Sequence, residues 1–473
     1  MAINKYLRRF LSIATIIAVI AVSCSKDPVP EPSTSKSHLN DLISFSFLRS
    51  DNPSLTQDCY GFKSANTYYL TVTQGANISS LKGRFTISPK ATAKIGGVLQ
   101  ESGVSLIDYT NTMDIVVTSE SGRSNTYKLL VQEGRGIFDN LVYAFMHKFS
   151  IPGISFALAK DEQIVYKKGA GFAIQETWER TRPDHLFRLA SISKQFTTIC
   201  IMKLIQDGRL SLNRNVFGSG GVLESEFPNV TQLASTVTIK NLLEHNSGWP
   251  KSPDLMFDSP YYGQTLDQRI VRMLSGPQTT PGVTYAYYNM GFGVLGKIIE
   301  KITGKNFEVY MKEVLALAGI TDVHVGGDKL QRRSNEVVYY SQNGTNGYAN
   351  EMQLIASAGG IIASTEQMMK LMFHIDGFTK VPDIITPQTR SMMLTPSPNY
   401  NRYALGWMCN HSYFPGDYYH TGNLSGTATM WVMGNDGING VILCNSRSYI
   451  TGFDDELYGL LRDIVNLASA ATW

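Results

Sequence analysis

The sequence contains no Cys-x-x-Cys and no His-Glu-x-x-His, and its 473 residues include only five cysteines. Zinc-ribbon, thioredoxin-like and zincin chemistry therefore have no support, and no metal site is expected. An excess of one charge is missing too. There are 42 basic and 39 acidic residues, and Lys5, Arg8 and Arg9 account for the difference. A chain balanced in this way offers no electrostatic footprint for nucleic acid. No apolar run reaches the roughly 20 residues that a membrane-spanning helix needs. Glycine (41) and proline (18) are at ordinary levels, which excludes collagen-like and low-complexity chains. What is present is 43% hydrophobic residues, enough for sizeable cores. The length predicts roughly two to four domains.

The first residues read as an address. Lys5 to Arg9 form a basic region, and Phe10 to Val22 are mostly apolar, as in a secretory signal. Ala21-Val22-Ser23-Cys24 then resembles a bacterial lipobox, in which Cys24 is lipidated and becomes the mature N-terminus. Residues 1–23 are thus expected to be a lipoprotein signal peptide. Residues 24–37, rich in Pro, Ser and Glu, are expected to be a flexible tether. Such a start is similar to that of lipoproteins of the Bacteroidota. It implies a lipid-anchored protein of the cell envelope, on the periplasmic face or the outer-membrane surface. Cys59, Cys200, Cys409 and Cys444 read as buried free thiols.

Two folded regions follow. Residues 38–133 alternate apolar and polar positions in short runs, such as Ile43 to Phe47, Tyr68 to Thr73, Asp114 to Thr118 and Tyr127 to Val131. This spacing predicts a small β-sandwich. The stretches Ile78 to Lys82 and Gln100 to Gly103 resemble immunoglobulin-like modules, which implies a spacer or a glycan- or partner-binding module. Residues 134–473 change texture. Ile137, Leu141, Val142, Phe145 and Met146 fall at helical spacing, and Pro152 to Ala159 form a buried-strand run. A helix-rich middle follows. Strands are predicted at Ala404 to Met408, Tyr418 to Thr421, Ala428 to Met433 and Gly440 to Cys444, and then a final amphipathic helix. This order predicts an α/β domain. Its antiparallel sheet is built from both ends of the region, flanked by the terminal helices and interrupted by a helical insertion.

Three short motifs in this region carry chemistry. Ser191-Ile192-Ser193-Lys194 sets a serine and a lysine three apart, on one face of a helix. The serine gains from the helix N-terminus, and a neutral lysine accepts its proton. The spacing alone is weak, because Ser23/Lys26, Ser33/Lys36 and Ser79/Lys82 share it. Around Ser191 the flanks matter: Cys200, Ile201, Met202, Leu204 and Ile205 predict a buried helix, closed by Asp207-Gly208. Tyr287-Tyr288-Asn289 offers a tyrosine that becomes a usable base beside an ammonium; it also reads as an aromatic core turn. His420-Thr421-Gly422 reads either as a strand-edge histidine or as a substrate edge. In the second reading Gly422 lets substrate approach the backbone and the Asn423 N–H lines an oxyanion hole.

Taken together and in this order, the three motifs resemble the serine β-lactamase and penicillin-binding-protein superfamily. The similarity is to the branch of class C β-lactamases, D-alanyl-D-alanine carboxypeptidases and related esterases. Leu242 to Gly248, Asn289 to Gly296, Ala358 to Ser364 and Leu405-Gly406-Trp407 carry the same resemblance. Gly291, Gly293 and Gly296 spell a dinucleotide fingerprint, but no strand is predicted before them. The resemblance makes His245 a supporting loop residue.

The resemblance implies acyl-enzyme chemistry without a cofactor. Ser191 attacks a carbonyl, and Lys194 and Tyr287 share the proton transfers. The Ser191 and Asn423 N–H groups hold the oxyanion, Asn289 positions the acyl chain, and His420 and Gly422 line the substrate edge. Many relatives begin the third motif with lysine, whereas this chain has His420. That favours ester or amide hydrolysis, or acyl transfer, over a β-lactamase or D-alanyl-D-alanine carboxypeptidase. Water and a bulky hydroxyl, as on a sterol or bile acid, stay open as acceptor. The aromatic-rich stretches Met256 to Tyr262 and Tyr400 to Tyr419 read as packing or as the wall of an apolar pocket. Expected partners are a small acyl donor and acceptor or a peptidoglycan peptide, and the membrane through Cys24. A non-catalytic peptidoglycan- or ligand-binding lipoprotein on the same fold is the rival.

Overall fold

The computed structural model describes residues 36–470 apart from 57, 65, 74, 135 and 136. The expected signal peptide, Cys24 and most of the expected tether lie outside the described residues.

Residues 42–134 form an all-β unit. Leu42–Phe47 pairs with Cys59–Tyr60 and Arg84–Ile87 in a three-stranded sheet. A six-stranded sheet is centred on Thr67–Thr73, Ser124–Gly134 and Met113–Thr118. Thr67–Thr73 and Ser124–Gly134 run parallel, and the other pairs in this sheet are antiparallel. The alternation read from the sequence has its cause here. Phe45, Phe47, Leu70, Ile115 and Val117 point into one core between the sheets. Tyr69 leaves that core and meets Phe172 of the second unit edge-on, with ring centroids 5.1 Å apart.

The second unit is built on a seven-stranded antiparallel sheet. Its strands, from edge to edge, are Glu179–Arg180, Gln163–Ile174, Gly153–Lys160, Ile438–Cys444, Thr427–Met433, Phe414–Leu424 and Met408–His411. The Gly153–Lys160 and Ile438–Cys444 pair joins the two ends of the region, as the sequence predicts. The terminal helices Ile137–Phe149 and Phe453–Ala470 cover one face through Val142, Met146, Leu461 and Ile464. The helical middle covers the other.

One strand prediction fails. Residues 404–407 turn instead of extending, because Gly406 takes φ +75°, and the strand begins at Met408. A Cβ on Gly406 would meet Thr198 Oγ1 at 2.1 Å, and the Gly406 carbonyl accepts from the Gln195 side chain. Leu405-Gly406-Trp407 is therefore a brace for the helix behind the first motif. Cys59, Cys200, Cys409 and Cys444 are buried, as expected. Among the described residues no helix is long and apolar enough to cross a membrane.

Candidate active site

Ser193–Gln206 is an α-helix buried almost all round, with Phe196, Ile199, Cys200 and Leu204 in the core. Its buried polar side chains Lys194, Gln195 and Thr197 are met by the carbonyls of Ala358, Gly406 and Ser357. Gly208, at φ +71°, closes it, with Gly208 N–H on the Ile205 carbonyl and Arg209 N–H on Leu204. Ser191 precedes this helix, in the 3-10 turn Ala190–Ile192, where Ala190 holds a left-handed φ of +50°. A non-glycine residue in that region is strained, and such strain accumulates at functional turns. Ser191 is partly accessible while its neighbours are sealed.

Lys194 is wholly buried, with Nζ 3.2 Å from Ser191 Oγ and 2.7 Å from the Ala358 carbonyl. Burial pushes its pKa down to about 7, against the opposing pull of the Asp254 charge. A neutral amine is therefore available near neutral pH. It donates to the Ala358 carbonyl and lies within hydrogen-bond distance of Ser191 Oγ, so its neutral form is placed to take the hydroxyl proton. The Ala358 to Ser364 stretch supplies that anchor. The Ser357 carbonyl also accepts from Thr197, and the Ile361 N–H donates to Ser193 Oγ.

Tyr287 lies over the same amine, with Nζ 4.9 Å from the ring centroid, and its phenol hydrogen-bonds to Ser191. The sequence reading made this phenol a base activated by an ammonium. The structure reverses the emphasis. Burial pushes Tyr287 well above the ordinary tyrosine range, and pushes Lys194 down. Both groups are disfavoured in their charged forms in the same dry pocket, which suits Lys194 to accept a proton and Tyr287 to hold one.

His245 packs 4.3 Å from the Tyr287 ring. Its Nδ1 accepts from the Tyr288 N–H at 3.1 Å, and burial keeps the ring neutral. It braces the tyrosine, as the resemblance implies.

His420 lies 6.3 Å from Tyr287, centroid to centroid, and is buried. The Thr421 carbonyl accepts only, so the 2.7 Å contact places the proton on His420 Nδ1. Nε2 then accepts from Tyr403 Oη at 3.2 Å. Burial, helped by the Lys194 charge, lowers the pKa to about 3. The ring is therefore neutral at neutral pH, because both of its nitrogens are committed and dry.

Gly422 also acts differently from expectation. A Cβ there would fall 2.1 Å from the Leu189 carbonyl oxygen and 3.0 Å from Ala190 Cβ. The space above this glycine is occupied by the turn that carries Ser191, not left for substrate. Thr429 Oγ1 fastens the turn by donating to Leu189 O at 2.8 Å. Met408–His411 pairs with its neighbour only up to Tyr419, so the His420 to Leu424 edge lacks a strand partner on that side. Asn423 is exposed on this edge, and its side-chain oxygen accepts from Arg447, which is forked onto Asp454.

Asn289, the first residue of the Asn289–Thr303 helix, donates from Nδ2 to Asp254 Oδ2 at 2.6 Å. Gly291, Gly293 and Gly296 lie inside this helix and admit neighbours. A Cβ on Gly296 would meet Ser357 Oγ at 2.5 Å. The structure thus brings Ser191, Lys194, Tyr287, His420 and Gly422 together at one turn, with Asn423 next along the strand edge and Asn289 held to Asp254. Sequence reasoning missed Asp254, Tyr403 and Arg447, which carry no motif spacing. A cavity of about 870 Å³ adjoins the 256–262 stretch at Tyr261, but none of Ser191, Lys194 or Tyr287 lines it. Tyr400 stacks on Tyr285 at 4.1 Å and Tyr403 is fully buried, so that stretch packs against the site.

The arrangement is similar to known proteins. "Protein flp" of Staphylococcus aureus (strain MRSA252) is 24% identical over 333 residues, covering 67% of this chain and 64% of that protein. The chain thus spans a little under two thirds of that relative. A putative D-alanyl-D-alanine carboxypeptidase of Escherichia coli O157:H7 is 24% identical over 307 residues, covering 55% of this chain and 68% of that one. The solved structure of a class C beta-lactamase superposes with a TM-score of 0.59 at 19% identity, over 71% of this chain and 96% of that chain. The family model described as Beta-lactamase matches residues 138–461, and with that span covered the chain belongs to the beta-lactamase family of serine hydrolases.

Proposed function

We propose that the protein is a serine hydrolase or acyltransferase that works through an acyl-enzyme on Ser191 and acts on an ester or amide. The observation that carries this reading is the dry Lys194 amine, 3.2 Å from Ser191 Oγ and anchored by Ala358. Ser191 attacks the acyl carbon while its proton passes to Lys194. Tyr287, bonded to Ser191, carries a proton to the leaving group and later draws one from the acceptor. The Ser191 and Asn423 N–H groups receive the oxyanion. Water is one acceptor for the acyl group. A bulky alcohol is the competing acceptor.

The neutral His420 favours esters and amides without a carboxylate over β-lactams and D-alanyl peptides. The all-β unit is proposed as an immunoglobulin-like spacer, and Cys24 as a lipid anchor holding the enzyme at the cell envelope. Intact-mass labelling with a fluorophosphonate tests the acyl-enzyme. One adduct is expected, lost in Ser191→Ala, and a competition screen of acyl donors then ranks substrates. For the anchor, replacing Cys24 is expected to release the protein from membranes; palmitate labelling that survives the replacement refutes it.

A further inference from the structure

Against Asn289, two residues along the chain from Tyr287, lies a carboxylate that the acyl-enzyme chemistry does not use. Asp254 is held rigidly. Oδ2 accepts from Asn289 Nδ2 at 2.6 Å, and Oδ1 accepts from the Met256 N–H at 3.0 Å. Its own N–H is tied to Asp258 at 2.8 Å, and its carbonyl accepts from Phe257 and Asp258. Among the described residues no Lys, Arg or His forms an ion pair with it. It is half-buried, and its charge is felt at Lys194 and at Tyr287. An unpaired, partly dehydrated carboxylate is costly unless a cation completes it.

The pair with Asn289 fixes what this corner can recognise. Nδ2 must face the carboxylate, so the amide cannot flip without setting oxygen against oxygen. Asn289 Oδ1 is consequently turned inward, buried and without a partner. Each carboxylate oxygen has taken one donor and keeps lone pairs free. Apart from the second Nδ2 proton of Asn289, the free capacity is therefore acceptor. An acylamide carbonyl would find no free oxygen-binding group beyond the second Nδ2 proton, and a substrate carboxylate would be repelled. A primary ammonium, with three donors and a positive charge, meets every requirement.

We infer that Asp254, held by Asn289, is a specificity residue that binds a cationic amine on the acyl group, so that the enzyme prefers amino-acyl donors to neutral ones. This rests on the Ser191 acyl-enzyme reading and adds the substrate class to it.

The test uses acyl donors that differ only in ammonium against methyl: the p-nitroanilides of L- and D-alanine against that of isobutyric acid. At pH 7 an α-amino group, with a reference pKa of roughly 7.7–8.0, is mostly protonated. In the wild-type protein kcat/KM is expected to favour one alanine derivative by about tenfold or more. Alaninamide is expected to protect Ser191 from the fluorophosphonate at lower concentration than isobutyramide. In Asp254→Asn both preferences are expected to fall towards one. A wild-type ratio near one overturns the inference. So does an Asp254→Asn protein in which both donors slow equally and the ratio survives, because Asp254 then serves Lys194 alone. If the variant fails to fold, the wild-type ratios decide. Absence of any fluorophosphonate adduct on the wild type is a different failure: it overturns the acyl-enzyme reading itself.

Discussion

The Nζ of Lys194 stands 3.2 Å from the Oγ of Ser191, and the lysine side chain that carries it is sealed from solvent. Two residues three apart are thereby placed as the proposed nucleophile and its base. The amine must be neutral to accept a proton, and its pKa is lowered by burial to about 7. Log kcat/KM is accordingly expected to climb with pH up to about 7 and then to level. Stability should follow the same group. An unfolded lysine titrates near 10.5, so the unfolded chain binds more protons between about 7 and 10.5, and stability rises with pH across that window. A pH profile and a set of urea melts check the two limbs.

Tyr287→Phe removes the hydroxyl bonded to Ser191 but keeps the ring against His245 and Lys194. The fold should survive while turnover falls by about 10²–10⁴-fold. Wild-type rates in this variant would leave Lys194 as the only proton carrier.

Gly422→Ala places a methyl group where the Leu189 carbonyl and Thr429 Oγ1 already stand, 2.1 and 2.3 Å away. The Ser191 turn must move off the strand edge. The expected cost in stability is about 1–3 kcal/mol, with a drop in kcat much larger than any change in KM, read from melts and steady-state kinetics.

His420 refuses a proton that the unfolded chain accepts. Its pKa of about 3 lies below the ordinary 6.5. Its contribution to stability is therefore present above pH 6.5 and is lost as pH falls from there towards 3. Nitrogen chemical shifts of the His420 ring should report one neutral tautomer, protonated on Nδ1, from pH 8 down to 5. For the same reason His420→Lys is expected to destabilise the fold, because it buries an ammonium in the dry site that already lowers the Lys194 pKa.

Among substrate classes, an aryl ester of a small acyl group is expected to exceed a cephalosporin and a D-alanyl peptide in kcat/KM at neutral pH. The third motif holds no free cation: His420 is neutral, and Arg447 is committed to Asp454. A cephalosporin that wins by about tenfold, or about 1.4 kcal/mol of transition-state preference, returns the protein to β-lactamase activity.

The pairing of Ser191 with Lys194 was legible in the chain because it is local. A spacing of three and an apolar run around it suffice to predict a buried helix face. The strands at Gly153–Lys160 and Ile438–Cys444 were legible as runs of apolar residues, and the terminal helices by their period. Residues 404–407 misled because the same apolar texture suits a strand and a brace, and Gly406 turns the chain only where Gln195 and Thr198 await it. The charge states of Lys194 and His420 were not legible. They depend on how much water is excluded and on the Ala358 carbonyl and the Tyr403 hydroxyl, all delivered by distant segments. The role of Gly422 and the presence of Asp254 at the site were hidden for the same reason. Spacing and periodicity describe neighbours along the chain, whereas desolvation and steric exclusion act between segments that meet only when the chain has folded.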